Sequence, residues 1–141
     1  MSVHHRPRKR FGQNFLVDQS IIQRVVSAIG PCKEDNLIEI GPGMAAITEH
    51  LVKHCPTMTL LELDRDLINH LHNKFDNYPN LTIHSGDALQ TDFEQFFQGK
   101  KLRLVGNLPY NISTPLLFHL LKVRDLIQDM HFMLQREVVD R

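Results

Sequence analysis

The chain has 141 residues, of which 42% are hydrophobic and 23% are charged, and its sixteen basic side chains balance sixteen acidic ones. This composition favours one folded domain and excludes an intrinsically disordered chain. Its apolar runs are too short to span a membrane, and residues 1–10 lack the apolar core of a signal peptide, so we expect a cytoplasmic protein without membrane contact.

The neutral total hides a basic segment at the start of the chain. Four basic side chains and no acidic one precede Asp18, so the remaining residues carry a charge of −4; the four are Arg6, Arg8, Lys9 and Arg10. A short basic arm can contact RNA phosphates with little sequence preference. We therefore divide the chain into an arm, residues 1–18, and a folded domain, residues 19–141. A solvated tail is the alternative interpretation of the arm.

The folded domain alternates helices with short apolar strands. A helix capped by Ser20 and stopped by Gly30 comes first, followed by a strand at 37–40 and a helix at 44–54. A strand at 58–63 and a helix beginning at Asp64 follow, then a strand at 81–84. Spacing of Thr91 and Glu94 predicts a capping box before a short helix. Further strands are expected from 102 into Asn107 and at 130–134, with a helix at 115–123 between them. The pattern is typical of an α/β fold, with a mostly parallel sheet covered by helices on both faces.

Ligand-binding groups follow the predicted strands, at the edge where parallel sheets bind ligands. Residues 41–46, Gly-Pro-Gly-Met-Ala-Ala, form a Gly-x-Gly-x-x-Ala turn, which lets a ligand approach the backbone at Gly41 and Gly43. Glu62 is placed to accept from ribose hydroxyls and Asp87 from an adenine amino group. Each feature alone also occurs in nicotinamide enzymes or in solvated loops. Together they predict a nucleotide-cofactor site.

The octapeptide at 107–114, Asn-Leu-Pro-Tyr-Asn-Ile-Ser-Thr, follows the fourth strand and indicates the acceptor. The Asn107 oxygen and the Leu108 carbonyl can accept from the two N–H groups of adenine N6, because Pro109 restricts the backbone and donates no competing N–H. Tyr110 can stack on the base. The plain alternative is a strand-to-helix turn with Thr114 as N-cap before Pro115. That alternative leaves Asn107 and Tyr110 without a role.

These motifs resemble, in order, the N-terminal half of the bacterial small-subunit ribosomal RNA adenine N6,N6-dimethyltransferases, the family linked to kasugamycin sensitivity. The matching segments are residues 11–16, 39–43, 62–64, 86–89, 107–114 and 133–139. The resemblance implies a Rossmann-like class I S-adenosylmethionine-dependent methyltransferase. It also implies that the last sheet strands and a C-terminal helical domain lie beyond this chain.

The resemblance further implies what individual residues do. Asn14 and Leu16 would contact S-adenosylmethionine, Gly41 would pass close to its methionine part, and Asn107 would lie between its methyl group and the target amine. The implied substrate is a pair of adjacent adenosines near the 3′ end of small-subunit ribosomal RNA, each methylated twice. The implied partner is the small ribosomal subunit, and we expect a monomer without a metal.

Other readings stay open. The related macrolide-resistance dimethylase acts on large-subunit RNA, whereas a ribosome-assembly factor or a mitochondrial transcription factor could use the fold without catalysis. A nicotinamide dehydrogenase is a remote alternative, since no hydride-transfer group is evident. A metal site is not indicated, because His50 and His54, one helical turn apart, lack a third ligand and the spaced glutamate of zinc proteases.

Overall fold

The computed structural model of the protein describes residues 18–135, which contain a five-stranded sheet; from one edge to the other its strands are Thr82–Ser85, Thr59–Glu62, Asn36–Ile40, Leu102–Pro109 and Ile127–Gln135. Every neighbouring pair is parallel. The elements in chain order are α1 (Gln19–Ile29), β1 (Asn36–Ile40), α2 (Thr48–His54), β2 (Thr59–Glu62), α3 (Arg65–Lys74), β3 (Thr82–Ser85), β4 (Leu102–Pro109), α4 (Tyr110–Leu121) and β5 (Ile127–Gln135). The predicted α/β class is confirmed.

Two apolar layers cover the sheet, one on each face. On the first, α1, α2 and α3 pack against β1 and β2 through a cluster that includes Ile22, Leu51 and Leu71. On the second, α4 and the 3₁₀ turn Phe93–Phe96 pack against β1 and β4 through residues such as Ile38, Phe93 and Leu116. Alternate residues of β1 point to opposite layers, so this central strand is buried on both sides.

Aspartates cap helix starts at two positions where the sequence predicted a hydroxyl residue. Asp18, not Ser20, caps α1, because its Oδ1 accepts from the backbone N–H of Ser20 and Ile21. The predicted capping box at Thr91 is also wrong, since Asp92 accepts from the N–H of Glu94 there. The expected cap at Asp64 and stop at Gly30, which adopts φ 57°, are confirmed.

Helix α2 begins at Thr48 rather than at the predicted Met44. Ala45 has φ 72° and is fully buried, and its N–H bonds to the carbonyl of Pro42. A left-handed residue cannot continue a right-handed helix. Residues 41–47 therefore form an extended turn above the end of β1 instead of the first turn of the helix.

The boundary between β4 and α4 was also predicted wrongly. Strand β4 runs through Pro109, paired with Gln135, and α4 begins at Tyr110, so Thr114 is not an N-cap and Pro115 lies within the helix. Pairing with β5 keeps the chain extended to Pro109. Pro115 is tolerated in the second turn, where its missing N–H removes a single helical hydrogen bond. The first four residues of the octapeptide thus span a strand end and a helix start.

Candidate cofactor and acceptor site

Strand register brings the predicted site residues to one edge of the sheet. Ile40, the last residue of β1, pairs with Leu61 on one side and with Gly106 on the other. Glu62 follows Leu61 and ends β2, whereas β4 extends past the end of β1 and remains paired only with β5. The glycine turn, Glu62 and Asn107 consequently share the carboxyl edge, as the sequence predicted.

Gly106 fixes how closely the acceptor motif approaches the glycine turn. A Cβ atom at this position would lie 2.8 Å from the carbonyl oxygen of Ile40, closer than a real Cβ atom can come. Only glycine lets β4 pack this tightly against β1, immediately before Asn107. Gly106 was not among the site residues predicted from the sequence, although a glycine inside an apolar strand is a known signal of close backbone approach.

The glycine turn presents exposed backbone at its first residue. Gly41 has φ 65° and Gly43 has φ 59°, values that glycine adopts without strain. The Gly41 N–H bonds to the Leu61 carbonyl, which ties the turn to β2, and a Cβ atom at Gly41 would meet nothing within 4 Å. Space for a ligand therefore lies directly over this backbone.

Glu62 anchors the turn from the neighbouring strand. Its carboxylate is buried and accepts three backbone N–H groups: Gly43 at 3.1 Å, and Leu63 and Asp64 at 3.0 Å each. Burial raises the pKa of this carboxyl, and the three hydrogen bonds oppose that shift. Since a carboxylate has about four acceptor positions, one remains for a ligand hydroxyl.

Glu39 is a second buried carboxyl beneath the same turn, and its role was not predicted from the sequence. It lies in β1 with 2% of its surface exposed, and Oε1 accepts from the hydroxyl of Thr48 at the start of α2. Burial raises its pKa to about 7; the hydrogen bond from Thr48 opposes that shift, and the charge of Glu62 adds a smaller contribution in the same direction as burial. An acid inside an otherwise apolar strand was the signal that could have identified it.

Asp87 lies after β3, half-buried, where the sequence placed it. Its Oδ1 accepts from the N–H of Leu89 at 2.9 Å, and its main-chain carbonyl accepts from the Thr91 hydroxyl at 2.7 Å. The carboxylate therefore helps to shape its own loop. Its second oxygen makes no hydrogen bond within the described part of the chain, which leaves it available to a ligand amino group.

The acceptor motif combines buried and exposed groups. Asn107 and Pro109 are half-buried, and the Leu108 side chain is 2% exposed and packs into the second apolar layer. Tyr110 is 62% exposed at the first position of α4. Packing of Leu108 thus holds the backbone of the motif while the aromatic ring of Tyr110 faces outward. That combination suits a fixed polar site beside an open stacking surface.

Six predicted contacts lie outside the described residues: Asn14, Leu16, Arg6, Arg8, Lys9 and Arg10. Within residues 18–135 no group of three or more His, Cys, Asp or Glu side chains could hold a metal ion. His119, instead of serving as a ligand, contacts the carbonyl of Thr91 through Nε2 at 2.6 Å. None of the described helices is long and apolar enough to cross a membrane.

Sequence comparisons match nearly the whole chain. A family model described as ribosomal RNA adenine dimethylase matches residues 4–141. The ribosomal RNA small subunit methyltransferase A of Marinobacter nauticus is 58% identical over 137 residues, which are 97% of this chain and 50% of that protein. Its counterpart in Saccharophagus degradans is 60% identical, covering 97% of this chain and 52% of that protein. The chain spans about half the length of these curated relatives.

Structural comparisons point to the same fold. The crystal structure of the 23S rRNA methyltransferase ErmE matches with a TM-score of 0.71 and 25% identity, covering 83% of this chain and 47% of that one. A dimethyladenosine transferase from Plasmodium falciparum matches with a TM-score of 0.69 and 26% identity, covering 84% and 43%. The predicted Rossmann-like class I methyltransferase fold is confirmed.

Proposed function

We infer the function of this chain from one premise, that it belongs to the ribosomal RNA adenine dimethylase family. The proposed activity is S-adenosylmethionine-dependent dimethylation of the N6 amino groups of two adjacent adenosines near the 3′ end of small-subunit ribosomal RNA. The observation that carries the proposal is the register that sets Asn107 beside the glycine turn, because methyl transfer requires donor and acceptor sites to adjoin.

The carboxyl edge fits the proposed cofactor. Gly41 offers open backbone for the methionine part, and Gly43, tied to Glu62, holds the turn in shape. Glu62 retains an acceptor position for a ribose hydroxyl, and Asp87 retains an oxygen for the adenine amino group. We assign Asn14 and Leu16 to a segment closing over the cofactor. When bound, S-adenosylmethionine supplies an electrophilic methyl group on a sulfonium.

The residues of the acceptor motif have separate tasks. The Asn107 side-chain oxygen and the Leu108 carbonyl accept from the target amino group, which frees its lone pair from the ring. Pro109 keeps that backbone extended, with φ −58° and ψ 142°. Tyr110 stacks on the adenine, an interaction worth roughly 1–3 kcal/mol per base. Alignment of the two reactants can supply roughly 7–11 kcal/mol of barrier reduction, so neither a metal nor a covalent enzyme intermediate is required.

We propose that residues 1–18 act as a basic arm, and residues 19–141 as the cofactor-binding part of a longer methyltransferase. In the arm, Arg6, Arg8, Lys9 and Arg10 would contact phosphates of the small ribosomal subunit. The protein would act in the cytoplasm as a monomer. These assignments are supported by the charge distribution of the chain and by the family.

Substitution of Asn107 tests the catalytic assignment. We expect Asn107→Ala to lower methyl incorporation into unmodified small ribosomal subunits by roughly 100-fold or more, because the lost acceptor matters most in the transition state. Binding of the same particles in a pull-down should be retained. Asn73→Ala, which removes an exposed asparagine near the end of α3 and outside the octapeptide, is the matched control and should keep normal activity.

The full-length Saccharophagus degradans relative serves as the positive control of the methylation assay. Near-normal methylation by the Asn107 variant would refute the catalytic role. Tight particle binding without methylation by the unaltered chain, in an assay in which the relative does methylate, would favour a non-catalytic assembly factor instead.

A further inference from the structure

Glu39 closes the base of the glycine turn. It lies two residues before Gly41, and it accepts a hydrogen bond from the hydroxyl of Thr48, the residue after the turn. Its second oxygen has no hydrogen-bond partner among residues 18–135, although only 2% of the residue surface is exposed to water. A buried carboxylate with an unpaired oxygen is costly, so the neutral acid is favoured as long as no positive charge is near.

No cation offsets this carboxyl within the described part of the chain. The elements around it contribute Thr48 from α2, Val105 from β4 and Glu62 from the end of β2. Glu62 is the charged group that acts on Glu39, and Asp64 acts in turn on Glu62. Two acids, Glu39 and Glu62, therefore lie beneath the glycine turn, and a positively charged ligand bound there would favour their ionised forms.

We propose that Glu39 is a positioning residue that loses its proton when a cationic cofactor occupies the glycine turn, so that cofactor binding and ionisation of this carboxyl are coupled. The inference rests on the proposed function, because the sulfonium and ammonium groups of S-adenosylmethionine supply the positive charge. The O–H bond of the Glu39 carboxyl breaks, its electrons stay on the carboxylate, and the proton passes to the buffer. The carboxylate keeps the bond from Thr48 and so fixes the start of α2 under the ligand.

The direction of the pH dependence follows from this coupling. Burial gives free Glu39 a pKa of about 7, and the cationic ligand lowers it. Binding therefore weakens as the pH falls through 7, because a proton must be removed, and reaches a plateau above pH 8. With one proton linked, affinity changes by at most tenfold per pH unit, and we expect a roughly fivefold to tenfold loss from pH 8 to pH 6.

Calorimetry in two buffers tests the proposal on the 141-residue chain. S-adenosylmethionine is titrated at pH 7 in phosphate and in Tris, whose different ionisation enthalpies reveal the protons released. We expect release of roughly half a proton per cofactor, since about half of the carboxyl is protonated in the free protein at that pH. S-adenosylhomocysteine, which lacks the sulfonium charge, should release fewer.

Variants identify the source of the proton. Glu39→Gln should remove the release, whereas Glu94→Gln, at an exposed position, should leave it unchanged. Thr48→Val should shift the release to higher pH, because loss of the hydroxyl bond disfavours the ionised acid further.

Saturable binding with the same heat in both buffers would overturn the inference while leaving the proposed function intact. Unchanged proton release by a folded Glu39→Gln variant would also overturn it. Failure of the chain to bind S-adenosylmethionine at any pH would contradict the cofactor assignment itself, and the inference with it.

Discussion

The two ends of the sheet hold buried charge in opposite ways. At the amino end, Arg103, the second residue of β4, has 8% of its side chain exposed and pairs with Asp35 at 2.7 Å and Asp129 at 3.0 Å. The same guanidinium donates to the carbonyls of Ile29 and Gly30, where α1 ends. Hydrogen bonds to Asp129 raise the pKa of Arg103. Burial alone would raise the pKa of Asp129, but the hydrogen bonds and charges of Arg103 and His131 together outweigh that effect and lower it.

At the carboxyl end, Glu39 and Glu62 are buried without a basic partner among the described residues, and both have raised pKa values. Backbone N–H groups and one hydroxyl are their partners. A charge that is already neutralised within the fold, such as Arg103, contributes to stability alone. An uncompensated acid costs stability and gains its counter-charge from a ligand. One sheet thus holds a structural cluster at its amino end and the proposed binding site at its carboxyl end.

The largest expected effect is the loss of stability when Arg103 is removed from the ion-pair cluster at the amino end of the sheet. Arg103→Met leaves the half-buried carboxylates of Asp35 and Asp129 without their cation. Removal of one partner from a fully buried cluster costs roughly 3–5 kcal/mol, and solvent access to Asp129 puts the expected loss at the lower end of that range. Urea denaturation should show this loss in the free energy of unfolding. Lys101→Ala, an exposed basic residue two positions earlier, is the control and should change stability little.

In the folded fraction of the Arg103 variant, affinity for S-adenosylmethionine should equal that of the unaltered chain, because the cluster lies at the opposite end of the sheet. A selective loss of cofactor affinity, with stability unchanged, would show that the two ends are not separate.

A smaller effect is expected where β4 crosses to the carboxyl end. Gly106→Ala places a methyl group 2.8 Å from the Ile40 carbonyl oxygen, and relief of that overlap must move backbone, at a cost of roughly 1–3 kcal/mol. Because the movement separates Asn107 from the glycine turn, cofactor affinity should fall as well. Gly86→Ala is the matched control, since its nearest neighbours lie at 3.4 to 3.7 Å, an ordinary contact. Equal stability of the two variants would contradict the close approach at Gly106.

Most of the fold was predictable because buried parallel strands appear in the sequence as short apolar runs. The carboxyl ends of such strands lie at the same edge of the sheet. Glu62, Asp87 and Asn107 could be placed at one edge for that reason. The start of α2 could not, since the left-handed Ala45 is set by the surrounding packing rather than by local preference. Pro115 was misjudged because pairing of β4 with β5 overrides a sequence that also suits a helix start.

Glu39 escaped prediction for a different reason. A single acid in an apolar strand has no local pattern, and its environment arises only when α2 folds back to bring Thr48 onto it. Gly106 likewise acquires meaning from a neighbouring strand that is distant in sequence. Long-range contacts therefore account for the site residues that the motifs alone did not identify.

The central claim is that the carboxyl edge binds S-adenosylmethionine, and direct titration of the 141-residue chain tests it. Calorimetry at pH 8 should give saturable one-to-one binding of S-adenosylmethionine, because Gly41 offers open backbone and Glu62 and Asp87 retain acceptor positions. No binding of NAD is expected, because the family to which the chain belongs uses S-adenosylmethionine. Saturable binding of NAD, or of neither compound, would contradict the account.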